Sequence, residues 1–343
     1  MRILMFTDNH FSEKSSIVTK YGTNFTLRLE NQIKSLNWVE RLAHEKECDL
    51  VVCLGDFFDH AHLTDQELTA LDHILWNSLD HYFLVGNHES EENDLQYSST
   101  MALAGVHRYI ISEPIIKQID TDTELAFLPY IVESNRKAIT EYFEPKSTKT
   151  RILLSHNDLL GIQLGPVVSR TGFSIDELES IASITFNGHL HNGQAISDRV
   201  INLGNLTGSN FSEDASRYSH KVAILDTETL KYEYIENPFA FNFYKLDINE
   251  KADIMLLENL KQNAVVSIKC KDFLLQEVRE TLARLENIIE SRVIITKDLV
   301  EAGQEVTDIS SLVVDQCAKF AECCRAKLDN NAILEAELAE ILK

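Results

Sequence analysis

The stretch DLVVCLGDFFD, residues 49–59, joins a continuous apolar run to a turn that carries two carboxylates. An uninterrupted apolar run of this length is typical of a strand buried on both faces, as in the centre of a parallel sheet. Gly55 marks the end of the strand, and Asp56 and Asp59 follow it. The stretch therefore predicts an α/β fold with polar side chains at the carboxyl end of a buried strand.

The same arrangement recurs at four other places in the chain. Each has a short apolar run that predicts a strand, followed by a polar cluster rich in Asp, Asn or His. The clusters are Asp8-Asn9-His10 after RILMF, Gly86-Asn87-His88-Glu89 after HYFLV, His156 after RILLS, and Gly188-His189-Leu190-His191 after SITFN. Because open α/β sheets bind ligands at the carboxyl ends of their strands, we expect the five clusters to meet in one pocket.

Helical spacing of apolar residues separates the predicted strands. Two helices are predicted in the first third of the chain, one from Leu29, Ile33, Leu36, Val39, Leu42 and Ala43, and one from Leu68, Leu71, Ile74, Leu75 and Leu79. Beyond residue 247, AVVSIKC (264–270) and RVIIT (292–296) predict strands, with a helix between them from Val278, Leu282, Leu285 and Ile289.

Composition restricts the class of protein. A chain of 343 residues with 44% apolar side chains is expected to form one large domain and a smaller one. The formal charge of −22 gives no basic footprint of the kind that nucleic-acid binders usually have. Cations bound at a metal site would neutralise carboxylates locally, so this charge does not exclude a nucleic-acid substrate.

Localisation and redox state are also predicted from the sequence. The start MRILMFTDNH resembles no export signal, and no apolar stretch is long enough to cross a bilayer, so we expect a soluble, cytoplasmic protein without membrane contact. The six cysteines show no zinc-type pairing and are expected to be free thiols, mostly buried.

Each polar cluster alone has a simple structural explanation. An Asp after a strand is commonly a helix cap, and Gly-Asp and Gly-Asn are common turn dipeptides. His189 and His191 are more specific, because two imidazoles on an extended segment with one residue between them can reach a common centre. Five such clusters at five strand ends are not expected from independent turns. Together they favour a site for two divalent metals that breaks phosphate esters.

The order DxH, GDxxD, GNH, H, GHxH resembles the calcineurin-like metallophosphoesterase superfamily over about residues 1–247. Within it, the GDFFD and GNHE forms, FLPY (127–130) and INLGNLTGSNFSED (201–214) resemble the SbcD family of DNA repair and recombination nucleases, including its phage members. The resemblance implies a sandwich of two mixed β-sheets flanked by helices, with a small α/β capping domain and C-terminal helices.

The resemblance also implies the ligands of the two metals. One metal is assigned to Asp8, His10 and His191, the other to Asn87, His156 and His189, with Asp56 bridging both. Mixed nitrogen and oxygen ligands suit manganese first, with magnesium, iron, cobalt and zinc as alternatives. His156 is the least distinctive ligand, since its flanking residues SHND carry no signature and a buried core histidine is the alternative.

The resemblance gives His88 the role of transition-state contact or proton donor to the leaving oxygen. Asp59 is expected to orient its imidazole, and the alternative for His88 is a turn residue that only bonds its neighbours. Glu89 departs from the family, which usually has Asp at this position, and the longer side chain is expected to change how Asn87 or His88 is held.

The resemblance divides the chain into a nuclease domain (1–247), a capping domain (248–300) and C-terminal partner-binding helices (301–343). The alternative for 248–300 is an ordinary α/β accessory domain without substrate contact. In residues 298–343, ten acidic residues stand against four basic ones. An apolar stripe from Ile309 to Cys324 packs on its own domain or binds a partner. In the resembling family that partner is an SbcC-type ATPase with a long coiled coil, in a complex built on a nuclease homodimer.

The sequence therefore predicts a two-metal DNA nuclease subunit that acts with an ATPase, as an exonuclease with some endonuclease activity. One alternative is a phosphodiesterase or phosphatase that acts on nucleotides or phosphoproteins with the same metals. Another is an interaction scaffold that has lost turnover, which the intact ligand set disfavours.

Overall fold

Two mixed sheets pack face to face in the computed structural model, which describes residues 1–91, 94–145, 149–164 and 167–296. In spatial order the first sheet consists of β14 (Tyr232–Glu236), β13 (Lys221–Asp226), β1 (Arg2–Phe6), β2 (Leu50–Cys53), β3 (Asp80–Leu84) and β4 (Arg108–Ile111). The second consists of β11 (Gln194–Ala195), β12 (Val200–Asn202), β10 (Ile184–Asn187), β7 (Thr150–Ser155), β6 (Thr123–Leu128) and β5 (Ile115–Gln118).

The other described strands form two smaller sheets. One pairs β8 (Gln163–Leu164) with β9 (Val167–Val168), and the other has the order β15 (Asn242–Ile248), β16 (Ala264–Lys271), β17 (Ile288–Thr296). The described α-helices are α1 (Leu27–Glu45), α2 (Asp65–Leu71), α3 (Ile139–Tyr142), α4 (Ile175–Ile181) and α5 (Leu275–Arg284). Short 3-10 helices cover Ser99–Leu103, Glu133–Asn135, Lys251–Asn259 and Asp272–Leu274.

The directions of the central strands bring the predicted clusters to one edge of the sandwich. β1 to β4 are parallel, as are β6, β7, β10 and β12. β13 is antiparallel to β1, and β5 is antiparallel to β6, so both sheets are mixed. The Leu54 carbonyl accepts a hydrogen bond from His156 Nδ1 at 2.7 Å, which joins the carboxyl end of β2 to that of β7.

Apolar side chains between the sheets form the central core. Met5, Val52 and Leu84 of the first sheet pack in one cluster with Leu154 and Phe186 of the second. The outer face of the first sheet is covered by α1 and that of the second by α4. Strands buried on both faces need continuous apolar sequence, which explains runs such as LVVC in β2. The predicted α/β sandwich of two mixed sheets flanked by helices is confirmed.

The first predicted helix is confirmed as α1. Its predicted apolar positions are all buried, from Leu29 to Ala43. Thr26 precedes the helix, and its hydroxyl accepts the backbone N–H of Leu29. Such a side-chain cap satisfies one of the donors left free at the start of a helix, so helix bounds and apolar face agree with the sequence pattern.

The second predicted helix is shorter in the structure than the apolar spacing indicates, because it ends before Ile74. α2 ends at Leu71, and residues 74–79 lie in a loop. There the Asn37 side chain accepts from the Leu75 backbone N–H at 2.7 Å and donates to the His73 carbonyl at 3.0 Å. Because a side chain of α1 pairs these backbone groups, they need no further helical turn.

The predicted strand, helix and strand beyond residue 247 are found as β16, α5 and β17. Two positions were wrong, because the helix ends at Arg284: Leu285 follows it with an extended backbone, and Ile289 lies in β17. Strand β17 starts at Ile288, where Ile288 joins the core between this sheet and α5. The domain boundaries at 247 and 300 stay predictions, and the helices predicted within 301–343 lie outside the described residues.

Two further predictions concern cysteines and membranes. Cys48, Cys53 and Cys270 are buried, and Cys48 and Cys53 are free thiols, as expected. The other three cysteines lie outside the described residues. Within the part of the chain that the structure describes, every helix is too short or too polar to cross a bilayer.

Candidate metal centre

The loops after β1 and β2 lie against each other and carry three predicted ligands. The Asp8 backbone N–H donates to the Gly55 carbonyl at 3.1 Å, and that of His10 donates to the Asp56 carbonyl at 3.0 Å. Asp8, His10 and Asp56 all have left-handed backbones, with φ of 50°, 46° and 49°. Residues with side chains rarely adopt this conformation, which is concentrated at functional sites. The two loops therefore hold these ligands in fixed, strained positions.

Two glycines let the loops approach this closely. A Cβ on Gly86 would lie 2.1 Å from Asp56 Oδ1, and a Cβ on Gly55 would lie 2.3 Å from His156 Nδ1. Gly55 also has a φ of +111°, which residues with side chains avoid. The glycines of GDFFD and GNHE are thus required by the space that the ligands occupy.

One predicted ligand group is brought together by the structure. His10 Nε2 lies 2.9 Å from His191 Nε2, 3.9 Å from Asp8 Oδ1 and 4.0 Å from Asp56 Oδ2. His191 Nε2 lies 4.0 Å from Asp8 Oδ1. One oxygen or nitrogen atom from each of Asp8, His10 and His191 falls within 4.8 Å of the others, as ligands of one cation do.

The second predicted group lies on the other side of Asp56. His156 Nε2 is 3.1 Å from Asp56 Oδ2, and His189 Nδ1 is 2.9 Å from Asn87 Oδ1. Ligand atoms of Asp56, His156 and His189 also lie within 4.8 Å of one another. Asp56 therefore stands between both groups, where one carboxylate could contact two cations. We call the residues of these groups the metal centre: Asp8, His10, Asp56, Asn87, His156, His189 and His191.

The donor atoms of the metal centre fit divalent cations. Among the described residues, buried Asp8 Oδ1 has no hydrogen-bond partner, and His156 Nε2 does not meet hydrogen-bond geometry with Asp56. His10 and His191 direct ring nitrogens at each other, although two neutral acceptor nitrogens repel. Cations between these atoms would satisfy all of them. Imidazole, carboxylate and amide donors suit manganese and its neighbours, and the identity of the metal stays a prediction.

Without metal, protons on the histidines would supply the positive charge that the cations otherwise bring. Burial opposes charge on His156, but the Asp56 carboxylate outweighs it and raises the His156 pKa to about 9. Burial likewise opposes charge on His191, and the Glu213 and Asp8 carboxylates raise its pKa to about 9. For Asp56, burial is outweighed by His156 and His10, which hold its pKa well below the usual range. The metal centre thus strongly favours positive charge next to its carboxylates.

The ring nitrogen of each histidine ligand that faces away from the metals lies next to an oxygen atom. Such outer contacts fix the tautomer and the orientation of a metal-binding imidazole. Three contacts are hydrogen bonds: His156 Nδ1 to the Leu54 carbonyl at 2.7 Å, His189 Nε2 to Asp158 Oδ1 at 3.1 Å, and His191 Nδ1 to Glu213 Oε1 at 2.7 Å. The fourth, His10 Nδ1 to Asp59 Oδ1 at 3.0 Å, is a close approach without hydrogen-bond geometry.

Sequence reasoning assigned no role to Glu213 or Asp158. Glu213 is buried and also accepts hydrogen bonds from Asn205 Nδ2 at 2.9 Å and the Ser209 backbone N–H at 2.7 Å. A signal for it existed, since Glu213 lies in the stretch INLGNLTGSNFSED that carries the narrower resemblance. Asp158 follows His156 by two residues, and nothing in the pattern SHND marks it as a partner of His189.

His88 lies at the exposed side of the metal centre. Its backbone N–H donates to Asp56 Oδ1 at 3.1 Å, and its ring centroid is 4.6 Å from that of His10. Its Nδ1 is 3.1 Å from the Asp59 carbonyl oxygen and 3.7 Å from Asp59 Oδ1. The Asp59 carboxylate lies nearer to His10, at 3.0 Å. Asp59 therefore contacts both histidines, through its backbone for His88 and its side chain for His10.

Glu89, the departure from the family pattern, connects two loops of the site. Its buried carboxylate accepts the Gly86 backbone N–H at 2.8 Å and that of Phe58 at 3.1 Å. Burial first, and then the charge of Asp56, raise its pKa to about 7. The longer side chain thus contacts backbone in both GDFFD and GNHE.

The fold, with Asp, Asn and His side chains that could hold metals grouped at one edge of two mixed sheets, is that of a metal-dependent phosphoester hydrolase. The chain belongs to the calcineurin-like phosphoesterase family, because residues 1–193 match that family's model. The match spans more than half of the chain and all of the metal centre, from Asp8 to His191. The broad family prediction is therefore confirmed.

Several solved structures are similar to this chain. They include a dimetal phosphatase from Danio rerio (12% identity, TM-score 0.38, covering 69% of this chain and 99% of that one), TT1561 of Thermus thermophilus (12%, 0.40, 68% and 98%) and the calcineurin-like phosphoesterase YfkN from Bacillus subtilis (10%, 0.35, 69% and 88%). No curated protein sequence matches the chain.

Proposed function

We propose that this phosphoesterase is a two-metal DNA nuclease subunit, an exonuclease with some endonuclease activity, that serves DNA repair, recombination or replication. The observation that carries the proposal is the contact between Glu213 and His191 at 2.7 Å. It brings the stretch 201–214, which resembles the SbcD nucleases, into contact with a histidine of the metal centre. The narrower resemblance is thus supported by the residues that hold a metal ligand, beyond the motifs common to the whole family.

The residues of the metal centre divide the chemical work. Two bound divalent cations would supply charge that stabilises a phosphodiester undergoing in-line attack by water. The seven ligands hold the charges in place, and the outer contacts of the histidines keep the rings from turning. His88 is exposed and next to the centre, so its imidazole can donate a proton to the leaving oxygen.

The partner that we propose is an SbcC-type coiled-coil ATPase, bound by a homodimer of this chain. The support is the family resemblance and the apolar stripe in the sequence of the C-terminal segment. Deleting residues 306–343 should abolish co-purification with such an ATPase and leave metal-dependent cleavage of small phosphodiesters intact. Retained association would contradict the assignment of this segment.

The substrate is tested by comparing three reactions of the full chain with manganese. We expect nucleotide release from linear double-stranded DNA to exceed turnover of small phosphodiesters and of phosphopeptides, and to be stimulated by the ATPase with ATP. Asp56→Asn is the control for contaminating nucleases. Turnover of phosphopeptides or small phosphodiesters without DNA cleavage would instead identify a phosphatase or a nucleotide phosphodiesterase.

A further inference from the structure

Tyr130 lies next to the metal centre and has no role in the chemistry described so far. It is the last residue of FLPY (127–130), directly beyond the carboxyl end of β6. Its ring centroid is 5.7 Å from that of His189, with 36° between the ring planes. The side chain is partly buried. An aromatic ring thus faces the site with one part still open to solvent.

The backbone around Tyr130 is held on three sides. The Tyr130 backbone N–H donates to the Val85 carbonyl at 3.0 Å, which ties it to the strand that precedes GNHE. Buried Asn157 accepts from the Ile131 backbone N–H at 2.8 Å and donates to the Pro129 carbonyl at 3.0 Å. These bonds fix the backbone position from which the ring projects, and a tyrosine side chain has only two torsions to order when a ligand packs on it, so it suits a binding role.

The charges around Tyr130 determine what can bind there. A tyrosine phenol has an ordinary pKa of about 10 and is neutral near pH 7, and the carboxylates of Asp158, Asp56 and Glu133 lie near this one. Asp158 and Glu133 would repel a phosphate group at this position. A neutral, flat group is favoured instead, and every nucleobase has an apolar π-face that stacks on aromatic side chains.

We infer that Tyr130 is a substrate-positioning residue whose ring stacks on the nucleobase next to the phosphodiester held at the metal centre. The inference rests on the proposed function, because it assigns part of a nucleic-acid substrate to this residue. Stacking is tolerant of base identity, so the contact fits a nuclease without sequence preference. It also distinguishes substrates with a nucleoside from phosphodiesters that lack one.

The test compares two small diesters with the same leaving group, thymidine 5′-(4-nitrophenyl phosphate) and methyl 4-nitrophenyl phosphate. Tyr130→Ala should lower the ratio of their kcat/KM values by about tenfold or more, the usual effect of losing one base–aromatic stack. Tyr130→Phe should keep the ratio within about threefold of the wild-type value, because the π-face is preserved. Tyr234→Ala, on the outer strand β14, is the matched control.

Manganese titration of each variant separates stacking on substrate from packing on His189. We expect unchanged manganese affinity in Tyr130→Ala. An unchanged substrate ratio would overturn the inference, as would an equal loss for both diesters with weaker manganese binding. A loss in Tyr130→Phe as large as in Tyr130→Ala would show that the hydroxyl, not the ring, makes the contact.

The same comparison can be made without turnover. The affinities of thymidine 5′-monophosphate and methyl phosphate are measured by calorimetry with manganese present. In Tyr130→Ala, the affinity for thymidine 5′-monophosphate relative to that for methyl phosphate should fall about tenfold. Failure of the DNA proposal has a different signature: the wild type would hydrolyse both small diesters and leave DNA intact, while the ratio for Tyr130→Ala would still decide this inference.

Discussion

The two halves of the metal centre differ in what lies behind their histidines. The half formed by His10 and His191 is backed by two carboxylates, Asp59 and Glu213. The half formed by His156 and His189 is backed by a neutral backbone carbonyl and by the carboxylate of Asp158. The first half also includes Asp8, whereas the second includes the neutral amide of Asn87. We therefore expect the first half to bind its cation more tightly.

Asp56 belongs to both halves, so its replacement tests whether they form one site. Asp56→Asn keeps the size of the side chain and removes the charge between the groups. Turnover should fall by roughly a thousandfold, because several kcal/mol of charge stabilisation depend on both cations. Metal titration should show fewer than two ions bound per chain.

Asp247→Asn, at an exposed carboxylate of β15, controls for general effects of lost charge. Two ions bound to Asp56→Asn with wild-type affinity would mean that the halves do not share this carboxylate.

His88 is outside the predicted ligand set, although one of its ring nitrogens lies within 4.8 Å of ligand atoms of His10 and Asp56. Its removal should separate chemistry from metal binding. His88→Ala should lower kcat by about a hundredfold, the usual contribution of a positioned acid or base. Both cations should bind as in the wild type, because the His88 side chain is not in the predicted ligand set. Parallel kcat measurement and metal titration provide the check. Near-normal turnover would remove His88 from the mechanism, and loss of one metal would make it a ligand.

The sequence predicted the strands and the inner residues of the site because one regular pattern marks both. Each central strand is buried on both faces and ends in a polar cluster, as LVVC does before Gly55 and Asp56. Parallel strands then bring the clusters together whatever their distance along the chain. A regular pattern also predicted α1, because the apolar residues on its buried face recur with the period of a helix.

Long-range contacts of single side chains were not predictable in this way. The Asn37 side chain hydrogen-bonds two backbone groups just beyond α2, which lie 36 and 38 residues away along the chain. These bonds replace those of a further helical turn. Glu213 lies 22 residues from its partner His191, and Asp158 lies 31 residues from His189. No periodicity relates such pairs. A lone carboxylate in a loop therefore cannot be told from a solvated one until the fold has positioned it.

The unequal backing of the two halves can be measured with two charge-removing variants. Glu213→Gln should weaken the tighter manganese site by about 10–100-fold, as loss of an outer partner of a ligand usually does. Asp158→Asn should weaken the other site by less, because the Asp158 side chain is 29% exposed and that of Glu213 1%, so water can replace Asp158. Manganese titration of both variants gives the comparison, and an equal or reversed order would show that the outer carboxylates do not set the difference.

The smallest expected effect is on the stability of the chain without metal. The pKa values of His156 and His191 are raised to about 9, above the ordinary 6.5. A raised pKa stabilises the folded state fully below pH 6.5, and this contribution is lost as the pH rises towards 9. The unfolding temperature of the metal-free chain should therefore fall as the pH rises from 6.5 to 9. The buried His156–Asp56 pair and the His191–Glu213 pair should both contribute to this fall.

Bound metal should remove this pH dependence. Imidazole binds cations in its neutral form, so the cations replace the protons and the two histidines no longer titrate near pH 9. Thermal unfolding at pH 6.5, 7.5 and 9, with manganese and with a chelator, measures both cases. In metal-free Glu213→Gln, the contribution of His191 to the pH dependence of the unfolding temperature should shrink, while the contribution of His156 should remain. A metal-free chain equally stable at all three values would mean that the histidines are not held next to these carboxylates, and the difference between the halves would then have no electrostatic basis.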